Sequence, residues 1–125
     1  MHMCCGYPGH LDDEDHLKAD PESYFQLAAA IDETTIQQVS IEDAHCLNDL
    51  SLLELYKDTA VILGVVAVAS SRVESVGEIT DRLRNALDHI DADRLVAAPD
   101  CGLLMLERKL AMRKLTNLCT AAHSI

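Results

Sequence analysis

The sequence lacks an apolar run long enough to cross a membrane as a helix, which takes roughly 18 to 20 residues. Its longest apolar stretch, TAVILGVVAVA at 59–69, is better suited to a buried strand. A secretory signal is also lacking, because no basic and then apolar segment opens the chain. We therefore expect a soluble cytoplasmic protein with no membrane partner.

Basic residues are scarce, with 10 Lys and Arg against 21 Asp and Glu and a formal net charge of −11 over 125 residues. Binding to a nucleic-acid backbone requires clustered Lys and Arg, so this balance argues against a nucleic-acid partner. The most acidic run, LDDEDH at 11–16, lacks the spaced ligands and the turn glycine of a calcium loop. We expect it to be a solvated loop.

Several catalytic motifs are missing as well. The sequence contains no recognisable Ser, His, Asp order, no phosphate-binding glycine loop and no dinucleotide fingerprint. Its five cysteines are an odd number, which argues against a disulfide framework in the absence of a secretory signal. Scattered cysteines in a reducing compartment are buried apolar residues, metal ligands or nucleophiles.

A regular alternation of strands and helices is present. Strands are predicted at 36–42, 59–69 and 93–99, and helices at 21–32, 47–56, 75–90 and from 106 onwards. The helix at 75–90 has the clearest start, because Ser75 and Glu78 form a capping box. Such alternation is typical of a parallel α/β sheet. We predict a partial TIM-type (βα)8 barrel, roughly its last four βα units, with residues 1–125 as one half-barrel.

Candidate ligands lie where the predicted strands end, which is where βα folds gather their functional residues. His2 and Cys4 are two residues apart and face the same side of a short first strand. Glu42 and Cys101 follow neighbouring strands. One imidazole, one carboxylate and two thiolates suit tetrahedral zinc. The alternatives are cysteines that belong to the core and a Glu42 that is solvated or paired.

Residues beside these ligands have less specific expectations. Cys5 could be a spare ligand, but it faces away from Cys4 and is expected to lie in the core or the barrel wall. Asp100 could orient a ligand or cap the turn that follows it. His45 and Cys46 come soon after Glu42 and could support a bound metal, but a place in the loop is favoured.

Four stretches, HMCCG, VSIEDAH, LGVVAVASSRVESVGEI and DRLVAAPDCGL, resemble in order the C-terminal catalytic barrel of cobalamin-independent methionine synthases. The resemblance covers nearly the whole chain and is to the second half of that barrel in a shorter, core-type relative. It implies a zinc ion held by His2, Cys4, Glu42 and Cys101. It also implies transfer of a methyl group to the thiol of homocysteine, or to a related thiol.

Departures from the family pattern leave the methyl donor open. Folate-using members carry a histidine after the third of these strands, where this chain has Ala69. The donor is accordingly either methyltetrahydrofolate or a methylated corrinoid. The upstream half of the barrel, which carries the family's residues for the amino group of homocysteine, has no counterpart in these residues.

A second hypothesis follows from that missing half. The chain would be a truncated or split half-barrel that is inactive alone. It would associate with itself, pair with a chain that supplies the missing units, or serve as a zinc-binding module. Open sheet edges and an apolar inner face favour such association.

Overall fold

The computed structural model describes residues 1–13 and 15–125, so Glu14 of the acidic run lies outside the described residues. Within them lie four strands: β1 (His2–Met3), β2 (Gln38–Glu42), β3 (Ala60–Val66) and β4 (Leu95–Pro99). All pair in parallel, in the order β1-β2-β3-β4. The described helices are α1 (Glu22–Asp32), α2 (Val76–Leu87) and α3 (Arg108–Ala122). This is the predicted succession of βα units.

Two short 3-10 helices complete the connections in the described residues. One, Leu50–Leu55, lies between β2 and β3, and the other, Ala92–Arg94, leads into β4. The short helix predicted at 47–56 is therefore present as a 3-10 helix with narrower bounds. Asp49 caps the 3-10 helix by accepting a hydrogen bond from the backbone N–H of Ser51. Three leucines of this short helix are buried.

One face of the sheet carries the hydrophobic core. Val39 and Ile41 of β2 and Val61 and Leu63 of β3 are completely buried on this face. They belong to one cluster with apolar residues of the three helices, which include Ala28, Ile31, Ile79, Leu83 and Leu118. None of the helices in the described part of the chain is both long and apolar enough to span a membrane.

The opposite face of the sheet would line the interior of a barrel. A row of paired residues crosses it, formed by His2, Ser40, Ile62 and Val96. Ile62 is half-buried, and Val96 is 42% exposed although it lies within β4. The inner face is therefore less covered than the core face, and it becomes more open towards β4, an edge strand.

Element boundaries differ from the predictions by a few residues. The capping box of α2 is confirmed, because the Ser75 and Glu78 side chains each accept a hydrogen bond from the other residue's backbone N–H. α1 begins at Glu22, whose N–H donates to the Asp20 side chain. β3 ends at Val66 rather than at residue 69, because the N–H of Ala67 donates to the Glu74 carboxylate instead of to a strand.

Candidate metal centre

Three of the four predicted ligands converge at the C-terminal edge of the sheet. The ligand atoms of His2, Cys4 and Cys101 all lie within 4.8 Å of one another. The Cys101 Sγ atom is 3.3 Å from His2 Nε2, although 99 sequence positions separate the two residues. We call these residues the ligand trio. It offers one nitrogen and two sulfur atoms on the open side of the sheet.

His2 is oriented by its neighbour on β2. Its Nδ1 atom lies 3.0 Å from the Ser40 hydroxyl, and the strand register places the two residues side by side. The other ring nitrogen, Nε2, is the one that faces Cys101. A histidine that ligates a metal usually has its second nitrogen hydrogen-bonded in this way. Ser40 was not among the residues predicted for the site, although its two-residue spacing from Glu42 on β2 places both side chains on one face of the sheet.

Glu42, the fourth predicted ligand, is completely buried but is not grouped with the trio among the described residues. Its Oε1 accepts hydrogen bonds from Lys18 Nζ at 2.7 Å and from Cys46 Sγ at 2.8 Å. Its Oε2 has no partner with hydrogen-bond geometry in the described part of the chain, although the Tyr7 hydroxyl, which is also unpartnered, is close enough to lower the pKa of Glu42. One oxygen of this carboxylate is thus engaged and the other is unsatisfied.

A second group of ligand atoms includes Glu42. Its carboxylate and the sulfur atoms of Cys5 and Cys46 also lie within 4.8 Å of one another. Cys5 is buried, as predicted, and its thiol contacts the Tyr24 hydroxyl at 3.5 Å. Burial, and then the Glu42 carboxylate, raise the pKa of the Cys46 thiol, which stays protonated and donates to Glu42.

The surroundings of Glu42 keep it charged. Burial alone raises the pKa of its carboxyl group, but hydrogen bonds from Cys46 and Lys18 outweigh burial, and the net pKa lies below the ordinary value. Lys18 Nζ also lies 4.4 Å from the centre of the Tyr7 ring. Burial, and then the Glu42 carboxylate, raise the pKa of the Tyr7 hydroxyl. The carboxylate of Glu42 is therefore available as an anionic ligand near neutral pH.

Asp100 holds the loop that follows β2. Its Oδ1 accepts hydrogen bonds from the backbone N–H groups of Asp43 and Ala44, each at 3.0 Å. Its Oδ2 accepts one from the His45 N–H at 3.0 Å and lies 2.6 Å from His45 Nδ1. Asp100 therefore fixes the loop after β2 rather than capping its own turn. Asp100 directly precedes Cys101 and holds the loop that follows Glu42. It therefore links the positions of these two predicted ligands.

The loop after β2 is also held from the side of α2. Arg82 donates two hydrogen bonds to the buried Asp43 carboxylate, from Nε at 2.6 Å and from Nη2 at 2.7 Å. A forked pair of this kind fixes both position and orientation. With Asp100 on one side and Arg82 on the other, the residues next to Glu42 are rigidly placed.

A cavity of about 370 Å³ is lined by Lys18, whose ammonium group contacts Glu42. His45 also lines it and accepts a hydrogen bond from the Ala69 N–H at Nε2, at 3.3 Å. The other charged or titratable lining residues are Asp12, Asp13 and His16. Pro8 and Asp12 form part of one wall, which is anchored where the Asp12 N–H donates to the Ala69 carbonyl at 2.9 Å.

Comparison with known proteins assigns the family. The family described as "Cobalamin-independent synthase, Catalytic domain" matches residues 18–124. The chain belongs to this family. The methionine synthase of Thermococcus kodakarensis is 35% identical over 97 residues, which are 77% of this chain and 29% of that protein. The methionine synthase of Pyrococcus furiosus is 33% identical over 104 residues, 82% of this chain and 31% of that protein.

A solved structure extends the similarity to the fold. A B12-independent methionine synthase from a Shewanella species, in complex with selenomethionine, matches with a TM-score of 0.79 at 27% identity. The match covers 98% of this chain and 37% of that one. The predicted family and the predicted partial barrel are both confirmed. The chain spans about 30% of the length of the methionine synthases that it matches.

Proposed function

We propose that this chain supplies the metal-binding part of a methyltransferase that passes a methyl group to a thiol, with homocysteine as the acceptor and methionine as the product. The observation that carries the proposal is the convergence of His2, Cys4 and Cys101 from distant parts of the sequence. Membership of the cobalamin-independent synthase family supports the type of reaction.

The donor atoms suit Zn²⁺. His2, Cys4 and Cys101 would hold the ion through one nitrogen and two sulfur atoms, with Glu42 as the fourth ligand. The unsatisfied Oε2 atom of Glu42 supports this role, because a buried carboxylate oxygen without a partner is costly. Zinc bound there would let an incoming thiol lose its proton and remain a nucleophilic thiolate.

The residues around the ligands set their geometry. Ser40 orients the His2 ring, and Asp100 fixes the loop that follows Glu42. Such supporting hydrogen bonds determine how well a metal site is preorganised. We infer that both residues are positioning residues for the proposed site.

Of the two possible methyl donors, we propose the methylated corrinoid. A tertiary amine that leaves methyltetrahydrofolate must be protonated, which calls for an acid at the site. Ala69 provides no titratable side chain at the position where folate-using members carry a histidine. Its backbone N–H instead donates to His45 Nε2.

A direct test supplies the zinc-loaded chain with homocysteine and either methylcobalamin or methyltetrahydrofolate, and measures methionine by mass spectrometry. We expect methionine with methylcobalamin, and none from a Cys101→Ser variant. Cys119→Ser is the matched control, because Cys119 is an exposed residue of α3 outside the trio. If Cys101→Ser produced as much methionine as the wild type, or if the wild type produced none with either donor, the proposal would be refuted.

The alternative is a half-barrel that acts only after association. It is favoured by the 42% exposure of Val96 on the inner face of an edge strand. A second copy, or a chain that supplies further βα units, would cover this face and pair with the free edges of β1 and β4. Analytical ultracentrifugation should then show concentration-dependent association that Val96→Lys weakens. A chain that stays monomeric at every concentration would eliminate self-association.

A further inference from the structure

The ammonium group of Lys18 already supplies the positive charge beside Glu42. Lys18 Nζ donates to Glu42 Oε1 at 2.7 Å and to the Gly6 carbonyl at 2.9 Å. The Lys18 side chain is only 19% exposed and the Glu42 side chain is completely buried. A buried carboxylate without a countercharge is strongly unfavourable, so this contact stabilises the arrangement in which Glu42 stands apart from the trio.

A metal ion and Lys18 would perform the same electrostatic role for Glu42. If Glu42 ligates a divalent ion, that ion compensates its charge, and the ammonium group becomes a second, repelling cation nearby. The free Oε2 could accept the ion while Oε1 keeps Lys18, but repulsion between two cations across one carboxylate would weaken the Lys18 contact. A displaced Lys18 ammonium group would find other acidic partners, because Asp12 and Asp13 line the same cavity as Lys18.

We propose that Lys18 competes with the metal ion for the Glu42 carboxylate. Its ammonium group holds the carboxylate until the ion displaces it. The inference rests on the proposed metal site and concerns the entry of its fourth ligand. In this account the trio would hold the ion first, and Glu42 would join it as the Lys18 ammonium group moves away. Lys18 thereby lowers the affinity of the site for metal, and the position of its side chain is coupled to metal occupancy.

The test is the zinc affinity of the whole chain, measured by competition with a chromophoric chelator. We expect Lys18→Met to bind zinc about tenfold more tightly than the wild type, which corresponds to about 1.4 kcal/mol. Lys18→Arg keeps the cation and should stay close to the wild type. Lys109→Met removes the same charge from an exposed position on α3 and should change the affinity less than about twofold.

A double-mutant cycle separates competition for Glu42 from simple charge repulsion. In a Glu42→Gln background, Lys18→Met should give no gain if the competition is for the carboxylate. A tenfold gain that persists in that background, or no gain in Lys18→Met itself, would overturn the inference. If the wild type binds zinc through the trio and Lys18→Met is unchanged, the inference fails while the metal site stands. If neither chain binds zinc, both fail.

Discussion

At the scale of single residues, the frame of the site depends on the close approach of two backbones. A Cβ atom added to Gly64 of β3 would lie 2.5 Å from the Cα atom of Asp100 and would also overlap its carboxylate. Gly64 does not have a positive φ, so glycine is required here only because a side chain would not fit. The same Asp100 carboxylate holds the loop after β2.

We expect Gly64→Ala to lower the free energy of unfolding by about 1–3 kcal/mol, because a backbone atom cannot move aside as a side chain can. The matched control is Gly77→Ala in the first turn of α2, where an added Cβ meets only the Ser75 Oγ atom, at 3.9 Å. That change should stabilise the chain by up to about 1 kcal/mol. Urea unfolding measures both. Equal effects of the two changes would refute the steric account.

The sequence predicted which potential ligands lie together better than it predicted the residues around them. Because parallel strands end at a common edge, strand-end positions were enough to select His2, Cys4 and Cys101. The contact of Lys18 with Glu42 could not be predicted in this way, because Lys18 comes from a loop without periodicity, 24 positions before Glu42. That His2, Cys4, Glu42 and Cys101 bind a metal ion stays a prediction.

At the scale of elements, the start of α2 was readable because a capping box is a local signal. Hydrogen bonds from the Ser75 backbone and hydroxyl, and then from Arg72, lower the pKa of Glu78 from 4.5 to about 2. A carboxyl group whose folded pKa is depressed stabilises the protein above its unfolded pKa. The contribution of Glu78 is therefore complete above about pH 4.5 and disappears as the pH falls towards 2.

We expect the free energy of unfolding of the wild type to exceed that of Glu78→Gln near neutral pH. The difference should shrink steadily below about pH 4.5 as both states become protonated. Chemical denaturation at a series of pH values measures it. A difference that stayed constant down to about pH 2 would show that the carboxylate charge of Glu78 does not contribute.

A buried ion pair connects α3 to the end of β3. Lys114 is completely buried and donates to the Ala67 carbonyl at 2.9 Å and to Glu74 Oε2 at 3.0 Å. Glu74 in turn accepts from the Ala67 N–H at 3.0 Å. This pair ends β3 earlier than the apolar run of the sequence predicted. The apolar pattern could not reveal it, because 40 positions separate the two charged residues.

Lys114→Met should destabilise the chain by about 3–5 kcal/mol, because it leaves the Glu74 carboxylate buried without a countercharge. The double variant Lys114→Met, Glu74→Gln should recover part of this loss, since it removes the unpaired charge. Lys109→Met on the exposed side of α3 is the control. Thermal and urea unfolding give the comparison, and a single variant as stable as the control would refute this account of the pair.

At the scale of the whole molecule, the order of the strands and helices was predictable from the sequence, because the apolar run of β3 and the alternating apolar residues of β2 indicate strands between helical segments. The extent of each element was less predictable, since it depends on distant partners such as Glu74 and Asp100. The open inner face and the two edge strands follow from the four-stranded sheet of the described residues. They place the ligand trio on the side that a complete barrel would enclose.

The most direct test of the central claim is the number of zinc ions bound per chain, measured by elemental analysis after dialysis against a weak chelator. We expect one zinc ion in the wild type and in Cys119→Ser, and substantial loss in Cys4→Ser, in Cys101→Ser and in His2→Ala. Retention of a full equivalent of zinc in all three trio variants would contradict the assignment of His2, Cys4 and Cys101 as the metal centre.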